Sequence, residues 1–154
     1  MMARRLGTWV LMFVGGLLCA VQASAQGSLI GYVKTSQPDA SLVVGGKPIK
    51  AAPGMPLQTG FVIRTGESGS LGVTLRDNTL LSFGPNSEFV VDEYLFAPGK
   101  GEFKLLATMT KGSLQYVSGL IAKLSPQAVS FKTPTSLLGV KGTEFLLLVE
   151  EENP

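Results

Sequence analysis

The stretch Phe131–Val149, FKTPTSLLGVKGTEFLLLV, predicts two short strands joined by a connection that proline and glycine punctuate. Thr133-Pro134 predicts a corner, because proline fixes its own φ and keeps the preceding residue out of the helical region. Gly139 and Gly142 predict backbone angles that a side chain would disfavour. Taken by itself, the pattern is typical of a loop and a buried strand rather than of a chemical site.

The second strand of this stretch is apolar throughout. Its residues are Phe145, Leu146, Leu147, Leu148 and Val149. Because polar and apolar residues do not alternate, the run predicts a strand that is covered on both faces. The three glutamates that follow are interpreted as a solubilising stop. The sequence ends soon afterwards, so the outer edge of the strand is predicted to be open to a partner that adds a strand there. The alternative is that Ser28–Lys34 covers this edge.

Short strand patterns separated by turn signals recur along the remaining chain. They fall on residues 28–34, 42–44, 47–50, 59–65, 72–76, 79–83, 89–96, 102–110, 113–117 and 129–132. Gly45-Gly46 predicts a hairpin with a primed turn, and Pro48 predicts that its second arm is short or at an edge. Asp77-Asn78 predicts a two-residue turn. The prolines in residues 51–58 predict a connector without ladder pairing. Lys111-Gly112 is expected to separate two strands.

One segment, Leu120–Leu124, is predicted to form a single turn of helix, because Pro126 stops it and no other window keeps a helical apolar stripe. Strands at this spacing are typical of all-β proteins. The sequence therefore predicts one β-rich domain, either solenoid-like or an irregular sandwich of short strands.

The N-terminal segment predicts export. Arg4 and Arg5 precede the apolar run Trp9–Val21, and Ala23-Ser24-Ala25 has the pattern of a cleavage site. The prediction is a signal peptide over residues 1–25 and a β domain over residues 26–154, located in the periplasm or secreted. A retained membrane anchor is the alternative, but the apolar run is shorter than the roughly 20 residues that a span needs.

The composition of the predicted mature chain argues against most site chemistry. Removing Arg4 and Arg5 leaves eleven basic and eleven acidic residues, so no charge excess indicates a nucleic-acid partner or a membrane surface. The sequence has no histidine, and its one cysteine, Cys19, lies in the signal peptide. The commonest general base, the thiolate nucleophile and the soft metal ligands are thereby lost. We predict no enzyme activity, and no catalytic, cofactor or metal site.

Two segments together resemble the FecR domain. The first is residues 65–87, in which a strand, a turn and a second strand lead to a Pro-x-Ser motif; its motif residues are Asp77, Asn78, Pro85 and Ser87. The second is residues 131–145, which is similar to the family's Thr-Pro, spacer, Val-Arg-Gly-Thr-x-Phe. Its motif residues are Thr133, Pro134, Gly139, Val140, Lys141, Gly142, Thr143 and Phe145. Asn78 replaces the usual glycine, and Lys141 replaces the motif arginine, whose planar bidentate contacts a lysine cannot make.

The resemblance implies an extracytoplasmic β-rich domain. In the best-known members, that domain belongs to a transmembrane regulator that relays a signal from an outer-membrane iron–siderophore receptor to a sigma factor. No cytoplasmic region precedes the hydrophobic segment here, so iron signalling itself is not expected. The predicted function is a periplasmic protein-interaction or signalling module without a stable membrane anchor. The alternative is a module that associates with cell-wall glycan, although the mature chain lacks the tryptophan that often stacks on sugars.

Overall fold

A computed structural model describes residues 27–151 of the chain. The strands are β1 (Leu29–Ser36), β2 (Ala40–Val44), β3 (Lys47–Lys50), β4 (Pro56–Gln58), β5 (Val62–Thr65), β6 (Leu71–Leu75), β7 (Leu80–Phe83), β8 (Glu88–Ala97), β9 (Glu102–Val117), β10 (Val129–Lys132), β11 (Leu137–Gly139) and β12 (Glu144–Val149). One short helix, α1, spans Leu120–Leu124, as the sequence predicts. The predicted signal peptide lies outside the described residues.

The long strand β9 organises the fold. The sequence predicts two strands here, and that prediction is wrong: β9 runs unbroken from Glu102 to Val117. Gly112 has φ of 97°. A β-carbon there would lie 2.3 Å from the backbone Cα of Ser87. The glycine therefore marks a bend inside one strand, which glycine often does in strands, rather than a turn between two strands.

The two ends of β9 belong to different halves of a curled sheet. Its C-terminal part lies between β7 and β12, and β6, β1 and β4 continue outward from β7; this is the first half. Its N-terminal part lies between β8 and β10. In this second half, β5, β2 and β3 continue from β8, and β11 continues from β10. The curled sheet forms a half-barrel, and the prediction of a single all-β domain is confirmed.

The core lies between the two halves. An aromatic cluster bridges them, because Phe131 on β10 packs edge-on against Tyr116 on β9, with ring centroids 5.3 Å apart. Phe89 on β8 and Phe83 on β7 extend the cluster, with their centroids 4.8 Å apart. Aliphatic side chains from most of the strands complete the core. Burial of this apolar surface is the main force that holds the halves together.

The hairpin of β2 and β3 is confirmed, with positive φ at both Gly45 and Gly46 as a primed turn requires. The connector prediction for residues 51–58 is partly wrong, since β4 pairs with β1 and buries Leu57. The prolines predicted that this segment forms no ladder. However, Pro56 is the first residue of β4, where a missing N–H is tolerated.

Candidate functional site

The turn motif after β6 builds an internal anchor. Leu75 accepts a hydrogen bond from the Asn78 N–H (3.0 Å), and Asn78 has φ of 66°. This geometry is a three-residue loop with a left-handed third residue, whereas the sequence predicted a two-residue turn over Asp77-Asn78. The longer loop turns Asp77 inward, where it is fully buried.

The carboxylate of Asp77 is fully engaged by neighbours. Thr79 Oγ1 donates to it at 2.7 Å, the Tyr94 hydroxyl at 2.9 Å and the Ile121 N–H at 3.1 Å. The last of these bonds caps the N-terminus of α1, which favours a negative charge there. Burial, and then the negative charge of Asp77, strongly raise the pKa of Tyr94. Asp77 is therefore a structural anchor rather than a free acid or base.

The Pro-x-Ser motif stabilises the bend of β9. Ser87 is buried, its hydroxyl donates to the Gly84 carbonyl (2.9 Å), and its oxygen accepts from the Ser113 N–H (3.1 Å). Thr65 accepts a hydrogen bond from the Ser87 N–H at 2.9 Å. Pro85 belongs to the turn that connects β7 to β8 along the same side of β9. These contacts satisfy backbone groups that the bend would otherwise leave unpaired.

The Thr-Pro motif occupies the tip of the β10–β11 hairpin. Thr133 donates its N–H to the Ser136 carbonyl at 2.8 Å, with Pro134 between them. Gly139 lies in β11 without positive φ and has open space around it, so the prediction that it needs a special backbone angle is wrong. For Gly142 the prediction of a special backbone angle is confirmed, because its φ is 103°.

The loop between β11 and β12 is held by a residue that the sequence analysis missed. Ser118 donates its N–H to the Thr143 carbonyl (2.7 Å) and its hydroxyl to the Gly142 carbonyl (3.1 Å). Val140 is buried, whereas Lys141 is exposed and has no ion pair within residues 27–151. A serine just after a strand is a common pattern, and nothing in the sequence connects it to a loop so distant in the chain.

The strand β12 is covered on one face only, so the prediction of two covered faces is wrong. Phe145 packs into the core, with its ring 4.8 Å from that of Tyr116 and 5.5 Å from that of Phe131. On the opposite face, Leu146 is 74% exposed and Leu148 is 65% exposed. An all-apolar run usually indicates two covered faces, but here the outward leucines meet solvent.

The outer edge of β12 also carries backbone groups without a strand partner. In the described part of the chain, β12 pairs with β9 alone, and β1 lies on the far side of the first half. The Ser118–Thr143 hydrogen bond sets the phase of this ladder, because bonded and non-bonded pairs alternate in antiparallel sheets. Leu146 and Leu148 therefore direct their N–H and C=O groups outward, away from β9.

Two cavities lie beside this edge. One, of about 490 Å³, lies between the end of β12 and the β10–β11 hairpin tip, and its lining includes Thr110, Pro134 and Leu147. The other, of about 730 Å³, is lined by residues that include Leu138, Val140 and Phe145. The lining of both is mainly apolar, which suits apolar side chains better than a polar substrate.

Residues 27–151 do not assemble three or more side chains of the metal-ligating types into a group that could hold an ion. Within the same residues, no helix has the length and apolarity that crossing a membrane would require.

The sequence-predicted motif residues fall into three places: the Asp77 anchor, the bend of β9, and the hairpin and loop that lead to β12.

Comparison with known proteins gives one family match. A family model described as FecR protein matches residues 61–154, which is more than half of the chain. The matched span contains both motif segments and β12, whereas β1–β4 precede it. No curated protein and no solved structure matches the chain significantly.

Proposed function

Because the chain belongs to the FecR protein family, which suggests a signalling-related domain, we propose that it is an exported, non-enzymatic interaction module of the cell envelope. It binds a protein partner by strand addition at β12. The site is the free edge of β12 along its five apolar residues: Phe145, Leu146, Leu147, Leu148 and Val149.

The observation that carries this proposal is the open apolar edge of β12. Leu146 and Leu148 combine exposed side chains with outward backbone groups. An edge of this kind is a template for another strand, which gains main-chain hydrogen bonds and apolar contacts together. The lack of histidine in the chain and the engagement of the Asp77 carboxylate support a binding role over catalysis.

The binding proposal is tested by native pull-down from a periplasmic extract. We expect a protein to co-purify with the wild-type chain and to be lost with the double change Leu146→Lys and Leu148→Lys. The matched control is Ile49→Lys, which makes the same kind of change to an exposed apolar residue on β3 and leaves the β12 edge unaltered. Recovery of cell-wall sugar instead of protein would favour the glycan-associated alternative, and equal capture by both variants would refute a role for β12.

The export proposal is tested separately by the intact mass of the protein recovered from the envelope. Cleavage after Ala25 leaves Gln26 as the first residue. A recovered product that still contains Arg4 would contradict a soluble periplasmic domain, whatever the pull-down shows.

A further inference from the structure

Besides β12, the strand β11 also has a free edge, and residues of both strands line the same two cavities. Within the described residues, β12 pairs only with β9, and β11 pairs only with β10. The β10–β11 ladder is phased by the hydrogen bond from Thr133 N–H to Ser136 C=O, so Leu137 and Gly139 direct their backbone groups away from β10. We call the opening between β11 and β12 the slot. Its two walls both offer unpaired main-chain groups.

The slot is apolar on its inner and its outer side. Leu138, Phe145 and Leu147 are half-buried and line the two cavities on the inner side. On the outer side Leu137 is 66% exposed, and it adds to the exposed Leu146 and Leu148. A strand that enters the slot therefore meets apolar side chains on both of its faces. Such an occupant has consecutive apolar residues, unlike a surface strand, which alternates.

Acidic residues lie at both ends of the apolar run of β12. Glu144 precedes the apolar run, and Glu150 and Glu151 follow it. Glu151 pairs with Lys111 at 2.9 Å, whereas Glu144 and Glu150 have no ion pair within residues 27–151. Opposite charges on directly paired residues stabilise a ladder, and like charges destabilise it. Basic residues on both sides of an apolar segment complement this pattern.

The same charges argue against a second copy of this chain. A two-fold, antiparallel pairing of β12 with itself that aligns all the apolar residues places Glu144 of each copy opposite Glu150 of the other. Both ends of the pair would then carry like charges in direct opposition. The edge is apolar enough to pair with itself, and its acidic ends oppose that outcome.

From these observations, and resting on the proposed function, we propose that the slot takes an extended segment of a partner protein with about five consecutive apolar residues and a lysine or arginine at each end. The segment pairs with the outward groups of Leu146 and Leu148 and fills the two cavities with its inward side chains. Its basic ends lie against Glu144 and Glu150.

The test uses two synthetic peptides and the purified protein. Both peptides carry the core Val-Ile-Val-Leu-Val, matched to residues 145–149; one has two lysines at each end, the other two glutamates. We expect the lysine-flanked peptide to bind at least about tenfold more tightly at low ionic strength, with the difference shrinking as salt screens the exposed charges. Equal affinities, or no binding of either peptide, would overturn the assignment of the occupant.

Three variants locate the binding and its charge preference. Leu146→Pro removes an outward N–H and is expected to abolish binding; Lys50→Pro, at the outward phase of the β3 edge, is the matched control and should bind normally. Combining Glu144→Lys with Glu150→Lys should reverse the preference toward the glutamate-flanked peptide. Amide exchange adds a local readout, since the Leu146 and Leu148 N–H groups should become protected. Peptide binding that is unchanged by Leu146→Pro would contradict binding in the slot.

The failure of this inference can be told apart from the failure of the proposed function. If Leu146 and Leu148 are required for native capture but the peptides do not discriminate by charge, the edge is right and the occupant is wrong. If the lysine-flanked peptide binds as expected while native capture ignores β12, the proposed function is wrong and the slot stands. Sedimentation that shows a peptide-free dimer, abolished by Leu146→Pro, would identify a second copy as the occupant and overturn the proposal.

Discussion

The β3 and β12 strands are both edges of the same curled sheet, and they present opposite surfaces to solvent. β3 reads Lys-Pro-Ile-Lys, and all its residues are exposed. The hydrogen bond from Ala51 N–H to Ala40 C=O phases the β2–β3 ladder so that Pro48 points its nitrogen outward. Lysine and proline are the residues by which proteins protect edges from unwanted pairing. β12 has leucine at the corresponding outward positions, and only its ends are charged.

This difference shows that protection against edge pairing is applied selectively in this protein. The β3 edge carries lysine and proline, which disfavour pairing with another strand. The β12 edge keeps its central residues receptive and limits pairing through Glu144 and Glu150 at its ends. The contrast supports a binding role for β12, and three sets of substitutions test the structural features on which it depends.

The largest effect is expected at the bend that separates the sheet halves carrying these edges. Gly112→Val places a branched side chain at φ of 97° and against Ser87. Backbone strain and overpacking should together cost roughly 2–6 kcal/mol in the free energy of unfolding. Urea denaturation followed by circular dichroism measures this cost. Gly99→Val is the control, because Gly99 lacks positive φ and has open space; equal losses in both variants would mean that the bend imposes no special constraint.

A proline scan of β12 tests the phase of its ladder. Leu147→Pro removes an N–H directed at β9 and part of a half-buried side chain, so it should destabilise the fold by about 2–4 kcal/mol. Leu146→Pro reproduces the arrangement of Pro48 in β3 and should cost about 1 kcal/mol or less. The same denaturation experiment compares the two. The reverse order of stabilities would show that the outward groups belong to the other residues of the strand.

The smallest effect on stability is expected from making the β12 edge resemble β3. Leu146→Lys with Leu148→Lys changes side chains that are mostly exposed, so the free energy of unfolding should stay within about 0.5 kcal/mol per site. Binding of a hydrophobic dye and self-association at high concentration should both fall. Ile49→Lys, on the protected edge, should alter neither property. A large loss of stability in the double variant would instead mean that the leucines are packed in the folded protein.

Several local features were predictable because their causes lie within a few residues. Gly45-Gly46 specifies its hairpin through positive φ, Pro48 marks an edge, and Pro126 ends the helix at Leu120–Leu124. The bend at Gly112 was misread as a turn, since glycine serves both and only the contact with Ser87 distinguishes them. The pairing of β4 was missed because one proline at a strand start still permits a ladder.

The sequence by itself determined the all-β class, the Gly45-Gly46 hairpin and the family motifs, because strand periodicity, glycine and proline act locally. Only the tertiary structure decided that Asp77 is buried under Tyr94 and α1, and that Ser118 holds the loop before β12. It also decided that the leucines of β12 face solvent beside an open slot. Whether an apolar strand is covered depends on which distant strands lie next to it and over its faces, and that arrangement arises from long-range packing that no local pattern encodes.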